Sequence, residues 1–75
     1  MNYSDYLESR SDVMLGKPVI KGTRITVELI LKILSEGASS EDILNAYPNL
    51  QPVHITAVLA YATDVIANET VIPAA

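Results

Sequence analysis

Apolar residues come in short, broken groups up to Ile25 and recur at helical spacing from Thr26 onward, so the chain divides into an irregular N-terminal part and a helical remainder. A first helix is predicted from Val27 to Glu36. Thr26 is its N-cap, Glu28 places a carboxylate near the positive helix end, and Gly37 is the stop. On a wheel at about 100° per residue, Val27, Leu29, Ile30, Leu31, Ile33 and Leu34 spread over roughly 200°, against the ~100° stripe of a simple surface helix. Glu28, Lys32, Ser35 and Glu36 hold the remaining face. So wide an apolar arc is expected to meet both the helix's own core and something beyond it.

Ser39 is the next N-cap, with Asp42 three residues on in a capping-box position, although Asp reaches back less well than Glu or Gln. The second helix runs through Ile43 and Leu44 toward Tyr47, where Pro48 disfavours continuation, and Pro48-Asn49-Leu50 makes the turn. Gln51 then caps a third helix with Pro52 at its first position, extending to about Ala67. On that helix Ile55, Val58, Leu59, Ala62, Val65 and Ile66 are read as the core face. Thr56, Ala57, Ala60, Thr63, Asp64 and Ala67 lie opposite. That outer face has no lysine or arginine, which argues against ordinary major-groove reading by this helix. The small residues at Ala57, Ala60 and Ala67 would permit close approach of another element.

The N-terminal part is organised around Gly16-Lys17-Pro18-Val19-Ile20-Lys21-Gly22-Thr23-Arg24, which reads as a turn, a short strand and a second turn. Val13-Met14-Leu15 is expected to be the strand that folds back against Val19-Ile20-Lys21, and Tyr3, Tyr6 and Leu7 are read as one stripe of a short helical turn. Two strands this short need support from the helices or from the ribbon of a second copy.

Seventy-five residues without a cysteine form one small domain whose core is marginal by itself. Disulfides are excluded, and a single histidine, His54, makes a structural zinc site an unpromising staple. With 49% hydrophobic residues, there is more apolar surface than three helices hide, and a homodimer is expected. No window is apolar enough for a membrane span, and the N-terminus lacks the features of a leader, so the protein is read as cytoplasmic. The net charge of −4 has the wrong sign for bulk attraction to nucleic acid. Yet all five basic residues (Arg10, Lys17, Lys21, Arg24, Lys32) precede Ile33, while Glu36, Glu41, Asp42, Asp64 and Glu69 follow it. The charge is segregated.

The run Gly-Lys-Pro-Val-Ile-Lys-Gly-Thr-Arg-Ile at 16–25, with Val27-Glu28-Leu29-Ile30, Glu36-Gly37, Asp42-Ile43-Leu44, Tyr47-Pro48-Asn49-Leu50 and Ala57-Val58-Leu59-Ala60-Tyr61-Ala62, resembles the small bacterial family catalogued as domain-of-unknown-function family 433. The resemblance implies a helix-turn-helix-like fold and, for many members, the antitoxin half of a toxin–antitoxin pair with a PIN-like ribonuclease. It implies no enzyme activity. The expected architecture is mainly α: a three-helix, homeodomain-like core over 26–67, a β-hairpin or β-ribbon within an arm over 1–25, and a tail over 68–75.

Lys17, Lys21 and Arg24 are the candidate DNA contacts; Arg24 alternatively tethers its loop through carbonyls or Glu28, and the lysines alternatively are solvated edge charges. Val19, Ile20, Leu31, Ala57, Ala60, Val71 and Ile72 are the candidate dimer or partner interface. Glu41 and Asp42 diverge by about 100° on their helix and suit its N-terminus better than a metal or a scissile bond. Gly16 to Gly22 lacks the arrangement of a phosphate-cradling loop. With no catalytic constellation and no cofactor motif, the expectation is a non-catalytic binding protein, an antitoxin. The alternative is a dimeric DNA-binding transcriptional regulator.

Overall fold

The computed structural model describes residues 1–68, which build a mainly helical fold on a two-stranded antiparallel ribbon. In chain order these are a 3₁₀ turn at Tyr3–Asp5, β1 (Leu7–Glu8), a second 3₁₀ turn at Met14–Gly16, β2 (Val19–Ile20), α1 (Val27–Ser35), α2 (Ser40–Ala46) and α3 (Pro52–Ala67).

Each helix begins where its cap chemistry places it. Thr26 Oγ1 accepts the Leu29 N–H at 3.0 Å, and Gly37 takes the left-handed φ of +99° just beyond α1. Ser39 and Asp42 close a full reciprocal box: the Asp42 N–H donates to Ser39 Oγ at 3.1 Å and the Ser39 N–H to Asp42 Oδ2 at 2.9 Å. The shorter Asp side chain therefore suffices. At α3, Pro52 takes the first turn and the Gln51 N–H donates to His54 Nδ1 at 2.9 Å.

The ribbon is tied into the helices by backbone bonds on both sides of β2. Leu7 pairs with Ile20 and Glu8 with Val19, while the Ile20 N–H donates to Ile25 O at 2.9 Å and the Val27 N–H to Pro18 O at 3.0 Å. Between β2 and α1 the chain reverses at Gly22, whose φ is +76°. Thr23 Oγ1 holds that reversal by donating to Ile20 O at 2.8 Å and accepting the Ile25 N–H at 3.0 Å. The Gly-Thr-Arg segment is thus a turn that carries the chain from strand to helix and leaves Arg24 exposed. Ile20, Ile30, Ile43 and Val58 are wholly buried at the centre, with Leu7, Leu50 and Ile55 around them.

Two expectations are corrected. Residues 13–15 do not pair with β2; Leu7–Glu8 does, because Met14 (φ 49°), Leu15 (φ 58°) and Gly16 (φ 79°) are consecutively left-handed, a conformation that cannot enter a ladder. The distal half of α3 does not bury the face assigned to the core. Its buried residues, Ile55, Ala57 and Val58, all lie in its first half, whereas Leu59, Val65 and Ile66 are exposed. The seven-residue α2 is too short to cover a sixteen-residue neighbour along its length.

Candidate partner-binding surface

The left-handed turn at Met14–Gly16 projects Leu15 almost wholly into solvent, at 94% exposure, and leaves Met14 nearly half exposed. A residue other than glycine in this region costs about 1–2 kcal/mol, and here two such residues follow one another. The chain then descends through Lys17 and Pro18 into β2, laying the turn alongside α1. Between them is an open groove lined by Met14, Lys17, Arg24, Thr26, Glu28, Leu29 and Lys32. Its floor is apolar, from Met14 and the partly exposed Leu29. Its rim is cationic.

The charges on the rim are not equivalent. Lys17 Nζ lies 3.0 Å from Glu28 Oε1, so this lysine is neutralised by the first turn of α1. Glu28, the carboxylate considered as a tether for Arg24, is held by Lys17. Arg24 and Lys32 form no ion pair among the described residues, the only other pair being Arg10 with Asp12 at 3.2 Å. Arg24 also borders a second concavity, on its other side, with Glu8, Arg10, Val13, Gly22 and Thr23. Of the three candidate DNA contacts, Lys17 and Arg24 share the groove, while Lys21 is exposed on the turn and lines neither concavity. Lys32 joins the groove in its place.

The candidate interface residues scatter. Val19, Ile20 and Ala57 have no exposed surface, with Ile20 and Ala57 in the core cluster, so their side chains are unavailable to a partner in this fold. Leu31 is half-buried beside Pro18, Val27 and Tyr61, and Ala60 is half-buried on α3. Val71 and Ile72 lie outside the described residues. Among the described residues the large apolar side chains left exposed are instead Met1, Met14, Leu15, Leu29, Leu59, Val65 and Ile66. Leu15 was legible only as the residue before a Gly-Lys-Pro turn. Leu59 and Ile66 were hidden by a period that assigned them to the core.

The aromatic residues brace the N-terminus against α3. Tyr3 meets the Tyr61 ring edge-on at 5.4 Å and its hydroxyl donates to Asp64 Oδ2, a bond that, with the nearby negative charge, raises the phenol above its usual range. Tyr6 meets His54 edge-on at 6.0 Å. With Nδ1 accepting the Gln51 N–H, His54 serves as a capping side chain at the start of α3. The described residues contain no group of three or more metal-ligating side chains and no helix long and apolar enough to cross a membrane.

No curated protein and no solved structure matches the chain significantly. The model of the family described as "Protein of unknown function (DUF433)" matches residues 7–62, from β1 through the ribbon, the groove and the first two-thirds of α3, and the chain belongs to that family.

Proposed function

We propose that this chain is a non-catalytic, cytoplasmic binding protein, the antitoxin of a type II toxin–antitoxin pair, which sequesters a PIN-like ribonuclease. The observation that carries the binding reading is the groove beside α1: an apolar floor of Met14 and Leu29 with the cations Arg24 and Lys32, which form no ion pair among the described residues. An apolar floor with a charged rim is the build of a protein-docking surface, in which the floor contributes affinity and the rim selects the partner by charge. A partner presenting carboxylates around an apolar side chain satisfies both, and an acidic-site nuclease is a partner of that kind. The identity of the partner rests on the family resemblance.

The rival reading is a dimeric DNA-binding regulator that uses Lys17, Lys21 and Arg24. Exposed Lys21 and Arg24 favour it. Against it stand the Glu28 carboxylate inside the groove and the neutralisation of Lys17, both of which oppose a phosphate there. Co-expression with a PIN-like ribonuclease, paired with DNA-binding measurements over a salt series, separates the two. The antitoxin reading expects a complex that loses affinity when Arg24 and Lys32 are changed to Glu, and the regulator reading expects salt-sensitive DNA binding lost with Lys17→Glu and Lys21→Glu.

A further inference from the structure

The two-stranded ribbon has an open edge along β1. Ile20 donates its N–H to Ile25 O at 2.9 Å, and its C=O accepts from the Thr23 N–H at 3.0 Å and the Thr23 hydroxyl at 2.8 Å, so neither group faces Leu7, its partner on β1. Leu7 and Ile20 are therefore a non-hydrogen-bonded antiparallel pair, and the N–H and C=O of Leu7 point away from β2. They find no backbone partner among the described residues. By strand alternation Ser9 carries the next outward N–H. Beside this edge opens a concavity walled by the apolar surfaces of Tyr3, Leu7, Pro18 and Tyr61. A second concavity shares Pro18 and Tyr61 and continues to Val27 and Leu31 on α1.

We infer that this edge takes an extended, apolar segment of a partner protein as a third strand. Outward main-chain donors and acceptors are matched by another extended backbone, which offers both at strand spacing. The concavity beside them then receives an apolar side chain, and residues two apart on the added strand fall on the same side. Charge excludes other ligands. No lysine or arginine lines either concavity, so nothing there holds a phosphate. The carboxylates at the margin are already bonded, Glu8 to the Gly22 N–H at 3.2 Å and Glu28 to Lys17 at 3.0 Å, so they call for no cation. The β1 strand of a second copy has no apolar side chain to offer, because its Leu7 is buried in its own core and the residues that follow are Glu8 and Ser9. Since β1 is only two residues long, few main-chain bonds form and association is weak. The two concavities share only Glu28 with the groove beside α1, so this assignment does not depend on the antitoxin reading.

A phage-displayed library of random heptapeptides, selected against the full chain, supplies the probe, and amide hydrogen exchange reads the edge. The enriched peptides should carry apolar residues at alternate positions. In the free chain the Leu7 and Ser9 amides should exchange quickly and that of Glu8, paired with Val19, slowly; bound peptide should slow Leu7 and Ser9. Methylating a peptide main-chain nitrogen that faces the edge should weaken binding roughly tenfold. Ser9→Pro, which removes an edge donor, should do the same with unchanged far-UV circular dichroism. Leu7 and Ser9 amides already protected in the free chain would mean that the edge is filled from within or by a second copy. That result, the enrichment of no peptide, or binding indifferent to main-chain methylation would overturn the assignment.

Discussion

Lys17 Nζ sits 3.0 Å from Glu28 Oε1, fastening the loop before β2 to the first turn of α1 through two side chains that are 52% and 72% exposed. Pairs this open contribute between nothing and about 1 kcal/mol. The contact matters more for charge than for stability, because it removes Lys17 from the free cations of the groove and leaves Arg24 and Lys32. Lys17→Ala is accordingly expected to change the free energy of unfolding by less than ~1 kcal/mol in a urea titration. A loss several times larger would show that the loop depends on this pair.

The turn at Met14–Gly16 should be more stable with a glycine in it. Leu15 has φ of 58° and 94% exposure, so it carries the strain of the left-handed region without burying its side chain. Leu15→Gly is expected to gain up to about 1 kcal/mol from relief of that strain, offset by the greater freedom of glycine in the unfolded chain. If Leu15 is kept for a partner, the same variant should bind that partner more weakly. A destabilised Leu15→Gly would mean that the side chain is covered.

Two apolar residues of the helices should respond very differently to truncation. Ile30 is fully buried in the hydrophobic core, whereas Leu59 is 46% exposed. Ile30→Ala is expected to cost about 2–5 kcal/mol, enough to unfold a domain of this size, and Leu59→Ala less than ~1 kcal/mol. Equal losses in chemical denaturation would contradict the placement of α3.

Acid should loosen α2 first. The Ser39 backbone N–H, and then its hydroxyl, hold the Asp42 carboxyl below its usual range. A carboxylate with a depressed folded-state pKa contributes stability that is present above its unfolded pKa of 3.8 and is lost as pH falls through the lower folded value. Asp42→Asn should therefore be less stable than wild type at neutral pH, with the difference shrinking below about pH 4. A difference between the two proteins that stays constant across the acid range would show that the box contributes nothing through charge.

The helices were legible because their signals are local. Thr26, Ser39 with Asp42, and Gln51 with Pro52 each sit within one turn of the boundary they set. The ribbon was half legible: β2 followed from Val19 and Ile20 between two glycine turns. Its partner strand did not, because Leu7 lies far from β2 in sequence and 13–15 offered a nearer apolar run. Nothing in the composition of Met14 and Leu15 announces a left-handed pair. The exposure of Leu59 and Ile66 was illegible for another reason: a helical period shows which residues share a face, not where the neighbouring helix ends. Within the groove, Lys17 and Arg24 came from the motif, but Lys32 joined them only through the fold.

The most direct measurement starts from the gene beside this one: where it encodes a PIN-like ribonuclease, that enzyme's RNA cleavage is titrated with wild-type protein and with the Arg24→Glu, Lys32→Glu double variant. Wild type should suppress cleavage stoichiometrically, and the folded double variant should need far higher concentrations. Ribonuclease that keeps full activity in excess wild-type protein, or the lack of any such ribonuclease nearby, would contradict the antitoxin assignment.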